Sequence, residues 1–489
     1  MTVSKRSVVF VTVDCLRADH VGFLGYNRPT TPFLDSLARE SFVLPTAIVG
    51  GSPTYYSFPP TFASRPSLSL GRDILGISAG EPTLASAFRD AGYRTAAFTA
   101  ANPYISSRFG YDGGFETFCD FLDSELEPVN DTNQLGAAAG SRLNRALARA
   151  SQRLGPAGSI YDELYFQYCV RWATPVPTSL LQLRRFPSAD VIVDHAKTWL
   201  ASIGESPFFL WLHLMDPHAP YYPTTQALSM MNNADVTPSQ ALYLNSFWNR
   251  SDVGPKRLHR HREMLVQLYD AGVRWVDHQL KGLVDSLQQR QLWDSCMFIV
   301  TADHGEEFLD HGARFHSPNG LFEETIHVPL LMRVPYIQAL EQSRSPFSLL
   351  HLAPTVLDAA QVSIPAEFRG HSQWSRLQSG EPGNAPAIAE CVTGCTNPYW
   401  PGQRSGARIL AVRESRYKLV LQFGSGKEDL FDLDADPNEL APLPHGAETH
   451  IRRRLLEEAR SHLSSERNHR ARLRSRMRDL RLEWAKGVA

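Results

Sequence analysis

Acids and histidines that could hold a metal stand at three places in this chain. Thr301-Ala302-Asp303-His304-Gly305-Glu306 sets Asp303 beside His304, Asp216-Pro217-His218 gives a second pair, and Asp14 closes Val11-Thr12-Val13. Carboxylate oxygen is a hard ligand and imidazole nitrogen a borderline one, so together they suit a divalent cation. A cation held this way can activate a hydroxyl and stabilise charge on an ester under attack. For any one Asp-His pair alone, the plain alternative is a helix-capping aspartate followed by a solvated loop. The two readings separate on whether the fold brings the three places together.

Each place follows a short apolar run. Val8–Val13, Pro207–Leu214 and Cys296–Val300 read as buried strands, which puts the polar residues at strand carboxyl ends. In open α/β sheets ligands bind outside those ends, and parallel topology would gather all three at one edge. Around them the pattern predicts a helix starting near Thr31 with Pro32 in its first turn, and a short strand at Phe42–Leu44. It also predicts a helix over Tyr55–Phe62 interrupted by Pro59 and Pro60, a helix over Pro82–Ala91 and a strand over Arg94–Ala100. Further helices are expected over Asp190–Leu200 and Glu263–Gln289. The expected fold class is α/β, a large mostly parallel sheet with helices on both faces, followed by a smaller C-terminal α+β subdomain. The expected boundaries are residues 1–375 for the large domain, with helical insertions near 124–186 and 222–258. Residues 376–445 form the small subdomain, and 446–489 an arginine-rich helix, solvated or partner-binding.

The chain has 489 residues, 43% hydrophobic and 20% charged, with a formal net charge of −2. That charge gives no reason to expect a nucleic acid partner, and the composition permits a large core. Six scattered cysteines read as reduced, mostly buried thiols. The basic start followed by Val8–Val13 superficially suggests a signal peptide, but the apolar run is short and ends in Asp14, so a first strand is the better reading. No stretch approaches the roughly 18–20 apolar residues that span a bilayer. A soluble, cytoplasmic protein is expected.

Several motifs, in their order, resemble the sulfatase family of the alkaline phosphatase superfamily. They are Val11-Thr12-Val13-Asp14-Cys15-Leu16-Arg17-Ala18-Asp19-His20, Arg28-Pro29-Thr30-Thr31-Pro32-Phe33-Leu34-Asp35, and His213 through Asp216-Pro217-His218 to Tyr221. The others are Leu268 through Asp277, Thr301 through Glu306, and Arg416-Tyr417-Lys418-Leu419 with Asp429 through Asp436-Pro437. The resemblance implies a nucleophile held on a metal and attacking a sulfate or phosphate ester, possible substrates being anionic esters on a glycan or lipid. It thins out in the two insertions and beyond about residue 445.

One departure bears on the chemistry. Sulfatases carry a formylglycine made from Cys or Ser in a Cys/Ser-x-Pro-x-Arg motif, whereas the matching loop here is Gly51-Ser52-Pro53-Thr54-Tyr55-Tyr56-Ser57-Phe58-Pro59-Pro60. One register places Thr54 at the nucleophile position and Ser57 at the motif's inner serine, a substrate-binding place; a second register makes Ser57 the nucleophile. Threonine cannot expel sulfate by collapsing to an aldehyde, so Thr54 leans the chemistry toward phosphate esters, diester or monoester, cleaved through a covalent ester. By resemblance to related phosphoryl-transfer enzymes, Asp14, Thr54, Asp303 and His304 would share one divalent metal, and His218 would assist the leaving group. His316 would bind the ester. A histidine at 304 and a single acid at 14 favour Zn²⁺ or Mn²⁺ over Ca²⁺. Glu306 is expected to orient His304. A sulfatase proper, and a silent family member that binds an anionic glycan or polymer, are the alternatives.

Overall fold

In the computed structural model, residues 5–72, 74–122, 160, 164, 179–232, 236–251, 253–383 and 385–467 are described. Seven strands form the main sheet in the order Phe42–Val43, Leu330–Arg333, Cys296–Ala302, Ser7–Val13, Phe208–Leu214, Arg94–Thr99, Thr117–Cys119. The last five are mutually parallel, and Leu330–Arg333 pairs antiparallel with both its neighbours. The expected mostly parallel α/β sheet is therefore present.

Adjacent residues of a strand point to opposite faces, and the packing of Phe208 and Phe209 shows what covers each one. Phe208 meets Trp199 of the Ala189–Ser202 helix, while Phe209 stacks on Phe88 of the Leu84–Asp90 helix. Trp211, on the same face as Phe209, packs on Phe62 and Phe58 of the Thr54–Ala63 helix. Helices on both faces explain why the three central strands are apolar without alternation and buried throughout.

Two elements differ from their sequence expectation. The Thr54–Ala63 helix runs through Pro59 and Pro60 rather than breaking there. A proline at 60 cannot bond the carbonyl of Tyr56, and the Ser67 hydroxyl donates to that carbonyl instead. The long helix spans Pro255–Gln289, starting eight residues before Glu263. Its first turns are rich in Lys, Arg and His, which hides the buried stripe Leu258, His261 and Leu265. The excursion at 222–258 includes two helices, Thr225–Met230 and Pro238–Trp248. Most of the expected 124–186 insertion lies outside the described residues.

A second, antiparallel sheet orders Ala387–Val392, Arg408–Glu414, Tyr417–Gln422 and Lys427–Asp432. Residues 449–467 form a helix whose Ile451, Leu455 and Ala459 recur every four residues and pack on Leu410, Val412, Leu419 and Leu430. This corrects the expectation of a solvated or partner-binding helix for its described part; the arginine-rich remainder, 468–489, lies outside the described residues. Lys418 ties the second sheet to the short Glu323–Ile326 helix. Its fully buried ammonium lies 3.2 Å from Glu323 and 2.8 Å from Glu439. No described helix is long and apolar enough to cross a membrane.

Candidate active site

Register fixes the site. Val13 is level with Leu214 on one side and with Ala302 on the other, so Asp14, Met215 and Asp303 leave the sheet at the same height. The Asp14 amide still donates to Leu214 O, at 2.8 Å, which holds the first carboxylate at the sheet edge. The motifs flanking these strands hold the surrounding loops. Asp270 of the long helix binds His20, Tyr26 and Arg28, and Asp277 accepts from the amides of Phe33 and Leu34, capping the Pro32–Ala38 helix.

Asp14 is fully buried. Its Oδ2 accepts from Asn102 Nδ2 at 2.8 Å and from His213 Nε2 at 3.2 Å. A relay stands behind His213: the Trp211 indole donates to Thr12 Oγ1 (3.0 Å), and the Thr12 hydroxyl faces His213 Nδ1 (2.9 Å). A donation from Thr12 to Nδ1 leaves the imidazole proton on Nε2, facing Asp14. Asp14 Oδ1 is left to face Cys15 Sγ (3.2 Å) and His304 Nε2 (3.6 Å).

His304 Nδ1 sits 2.8 Å from the carbonyl of Gly305, and as a donor there it leaves the Nε2 lone pair pointing inward. Around that lone pair lie Thr54 Oγ1 at 3.1 Å, Asp303 Oδ2 at 3.5 Å and Asp14 Oδ1. Thr54 is the first residue of its helix, where the amide dipoles favour developing negative charge. Burial, then the neighbouring His316, pushes His304 down to about 3, so the imidazole is neutral.

These residues fit a divalent cation. Asp14, Asp303 and His304 are all buried, and their donor atoms lie within 4.8 Å of one another. Asp303 Oδ2 is buried and accepts no hydrogen bond. Burial works to raise Asp14, but His218, the His213 hydrogen bond and His304 outweigh it and hold the carboxyl well below its usual range. Asp303 moves the opposite way, pushed well up by burial and by the Asp14 charge. Two buried carboxylates facing a lone pair need a shared cation for both to ionise.

The other expected residues divide. His218 and His316 reach the same pocket, their rings 5.1 Å apart, and His316 is 4.6 Å from the His304 ring. Burial lowers His218, although Asp14 opposes the shift. Burial also works to lower His316, but Glu306 outweighs it and raises the imidazole. Ser57 is a correction: it is fully buried and its hydroxyl donates to Thr54 O at 3.1 Å, so its polar atom is taken up within its own helix. Asp216 turns away from the other strand ends, bound by Arg184, Ser188 and the amide of Ala189. Glu306 is a second correction, because it faces His316 at 3.7 Å while His304 is oriented by Gly305 O. Asn102 was missed by sequence reasoning. It follows the Arg94–Thr99 strand, a fourth carboxyl end at the same edge, and the rule that found the other ends could have found it.

The fold and the acid–histidine edge define an alkaline-phosphatase-like α/β protein. The Sulfatase family model matches residues 6–362, and a model for the C-terminal part of N-sulphoglucosamine sulphohydrolase matches residues 312–465. The chain belongs to the sulfatase family. Among curated relatives, arylsulfatase K of Mus musculus is 27% identical over 248 residues, 49% of this chain and 42% of that protein. Choline-sulfatase of Rhizobium meliloti (strain 1021) is 26% identical over 254 residues, 48% of this chain and 46% of that protein. The chain thus spans under half the length of these two relatives. The phosphonate monoester hydrolase of Agrobacterium radiobacter shares the fold, with a TM-score of 0.67 at 19% identity over 95% of this chain and 96% of that one.

Proposed function

We propose that this chain is a metal-dependent hydrolase or transferase of phosphate or phosphonate esters, using Thr54 as an unmodified nucleophile. The observation that carries the proposal is the placement of Thr54. Its hydroxyl is the alcohol facing His304 Nε2, at 3.1 Å, in a loop with neither the cysteine nor the arginine that formylglycine formation needs. Asp14, Asp303 and His304 would hold one divalent metal, with Thr54 as a further ligand. Such a metal supplies positive charge that lowers the hydroxyl pKa and offsets charge on the ester. The imidazole and one carboxylate fewer favour Zn²⁺ or Mn²⁺ over Ca²⁺.

The chain's own residues would act as follows. Thr54, its hydroxyl proton released to solvent, would attack phosphorus in line from the helix N-terminus, breaking the bond to the leaving oxygen and forming an ester that water or an acceptor alcohol then cleaves. Asn102 and His213 fix Asp14 in one orientation. His218, its ring 5.1 Å from that of His316 in the same pocket, would hand a proton to the leaving oxygen. Catalysis on a sulfate ester is the second reading, favoured by the names of the curated relatives, arylsulfatase K and choline-sulfatase. A screen of aryl phosphodiester, phosphate monoester, phosphonate monoester and sulfate substrates, each with Zn²⁺, Mn²⁺ and Ca²⁺, separates the two. Phosphorus esters turned over fastest with Zn²⁺ or Mn²⁺ would support the proposal. Turnover of sulfate esters alone, with Ca²⁺, would overturn it.

A further inference from the structure

The donors around Thr54 leave a second set unused. Cys15 turns at φ 61 and brings its Sγ to 3.5 Å from His316 Nδ1. Glu306 Oε1 lies 3.7 Å from that same nitrogen. Glu306 is fully buried, and neither of its carboxylate oxygens accepts a hydrogen bond. A buried carboxyl without a hydrogen bond is costly to keep. Nothing in the reaction assigned to Thr54 employs this carboxylate.

Thiolate, imidazole and carboxylate are together a zinc ligand set. Tetrahedral coordination with Zn–S of about 2.3 Å and Zn–N of about 2.1 Å sets sulfur and nitrogen roughly 3.6 Å apart. The Cys15–His316 separation of 3.5 Å matches that span. We propose that Cys15, His316 and Glu306 form a second metal site, for Zn²⁺ or another divalent cation of similar softness, beside the Asp14–Asp303–His304 site. Cys15 would bind as the thiolate and His316 through Nδ1. The two sites differ in kind: oxygen and nitrogen at the first, sulfur at the second.

The difference gives a readout independent of turnover. Metal-free full-length protein is titrated with Co²⁺ while bound metal and absorption are followed. The expected result is two equivalents bound and a strong thiolate-to-cobalt charge-transfer band. Cys15→Ser should bind one equivalent and lose the band, with its near-ultraviolet circular dichroism unchanged. Asp303→Asn should keep the band and lose the other equivalent, and Glu306→Gln should weaken the band-forming site by about 10- to 100-fold. One equivalent without a thiolate band, no cobalt bound, or a band that survives Cys15→Ser would each overturn the second site. One equivalent with a Cys15-dependent band would also overturn it, because Cys15 would then serve a single cation shared with Asp14 and His304, from whose donor atoms its sulfur is 3.2 Å and under 4.8 Å away.

Discussion

Thr54 Oγ1 stands 3.1 Å from His304 Nε2, although 250 residues separate them in the chain. One comes from the start of a helix and the other from the end of a central strand. Their meeting brings a hydroxyl to a row of strand-end acids.

Replacing Thr54 by alanine should remove turnover by about a thousandfold or more, because no neighbouring group replaces the missing oxygen. Thr54→Ser keeps an attacking hydroxyl and should retain measurable activity. Steady-state kinetics of both variants on the best ester decides this. Equal activity in Thr54→Ala and wild type would remove Thr54 from the reaction.

Asn102 touches no reacting atom, yet its amide holds Asp14 Oδ2 at 2.8 Å. Asn102→Ala leaves that oxygen with His213 alone and should weaken metal affinity by about 10- to 100-fold. Competition with a chelator measures the change. Unaltered affinity would show that His213 alone fixes Asp14.

Much of this was legible in the sequence because burial on both faces writes strands as unbroken apolar runs. Val8–Val13 and Cys296–Val300 announced themselves, and with them the positions of Asp14 and Asp303. What stayed hidden depends on side-chain direction. Asp216 and Asp14 both leave strand ends, but Arg184 and the Ala189 amide draw Asp216 to the Ala189–Ser202 helix. Ser57 and Thr54 fit alternative registers of one motif, and only the helix phase shows which hydroxyl is taken by a carbonyl. The C-terminal helix looked solvated because its arginines outnumber the residues of its narrow apolar stripe, Ile451, Leu455 and Ala459.

Asp277 caps the Pro32–Ala38 helix through two amides, at 3.0 and 2.8 Å, and also binds Arg274. Asp277→Ala strands these buried donors and should cost about 1–3 kcal/mol of unfolding free energy. Urea denaturation reads the loss as a lower midpoint. An unchanged midpoint would mean that water or another acceptor replaces the cap at no cost.

Stability should also depend on pH through His462. Burial works to lower this imidazole, but hydrogen bonds to Glu390 and Glu466 outweigh it and raise it to about 9, with Arg408 bound to the same two carboxylates. An unfolded histidine titrates near ~6.5, so the contribution is fully present below that pH and is lost as pH rises through about 9. Its size is on the order of 3 kcal/mol. Unfolding midpoints should therefore fall between pH 6.5 and 9.5 in wild type and stay flatter in His462→Gln. The same slope in both proteins would assign the pH dependence to other groups.

The central claim is that Thr54 itself forms the covalent bond. Rapid quenching of the enzyme during turnover of a phosphorus ester, followed by peptide mass spectrometry of residues 50–66, tests this most directly. The account predicts a phosphoryl group on Thr54 that disappears as substrate is exhausted, with Ser57 unmodified. A phosphoryl group on Ser57, or an aldehyde anywhere in this peptide, would contradict it.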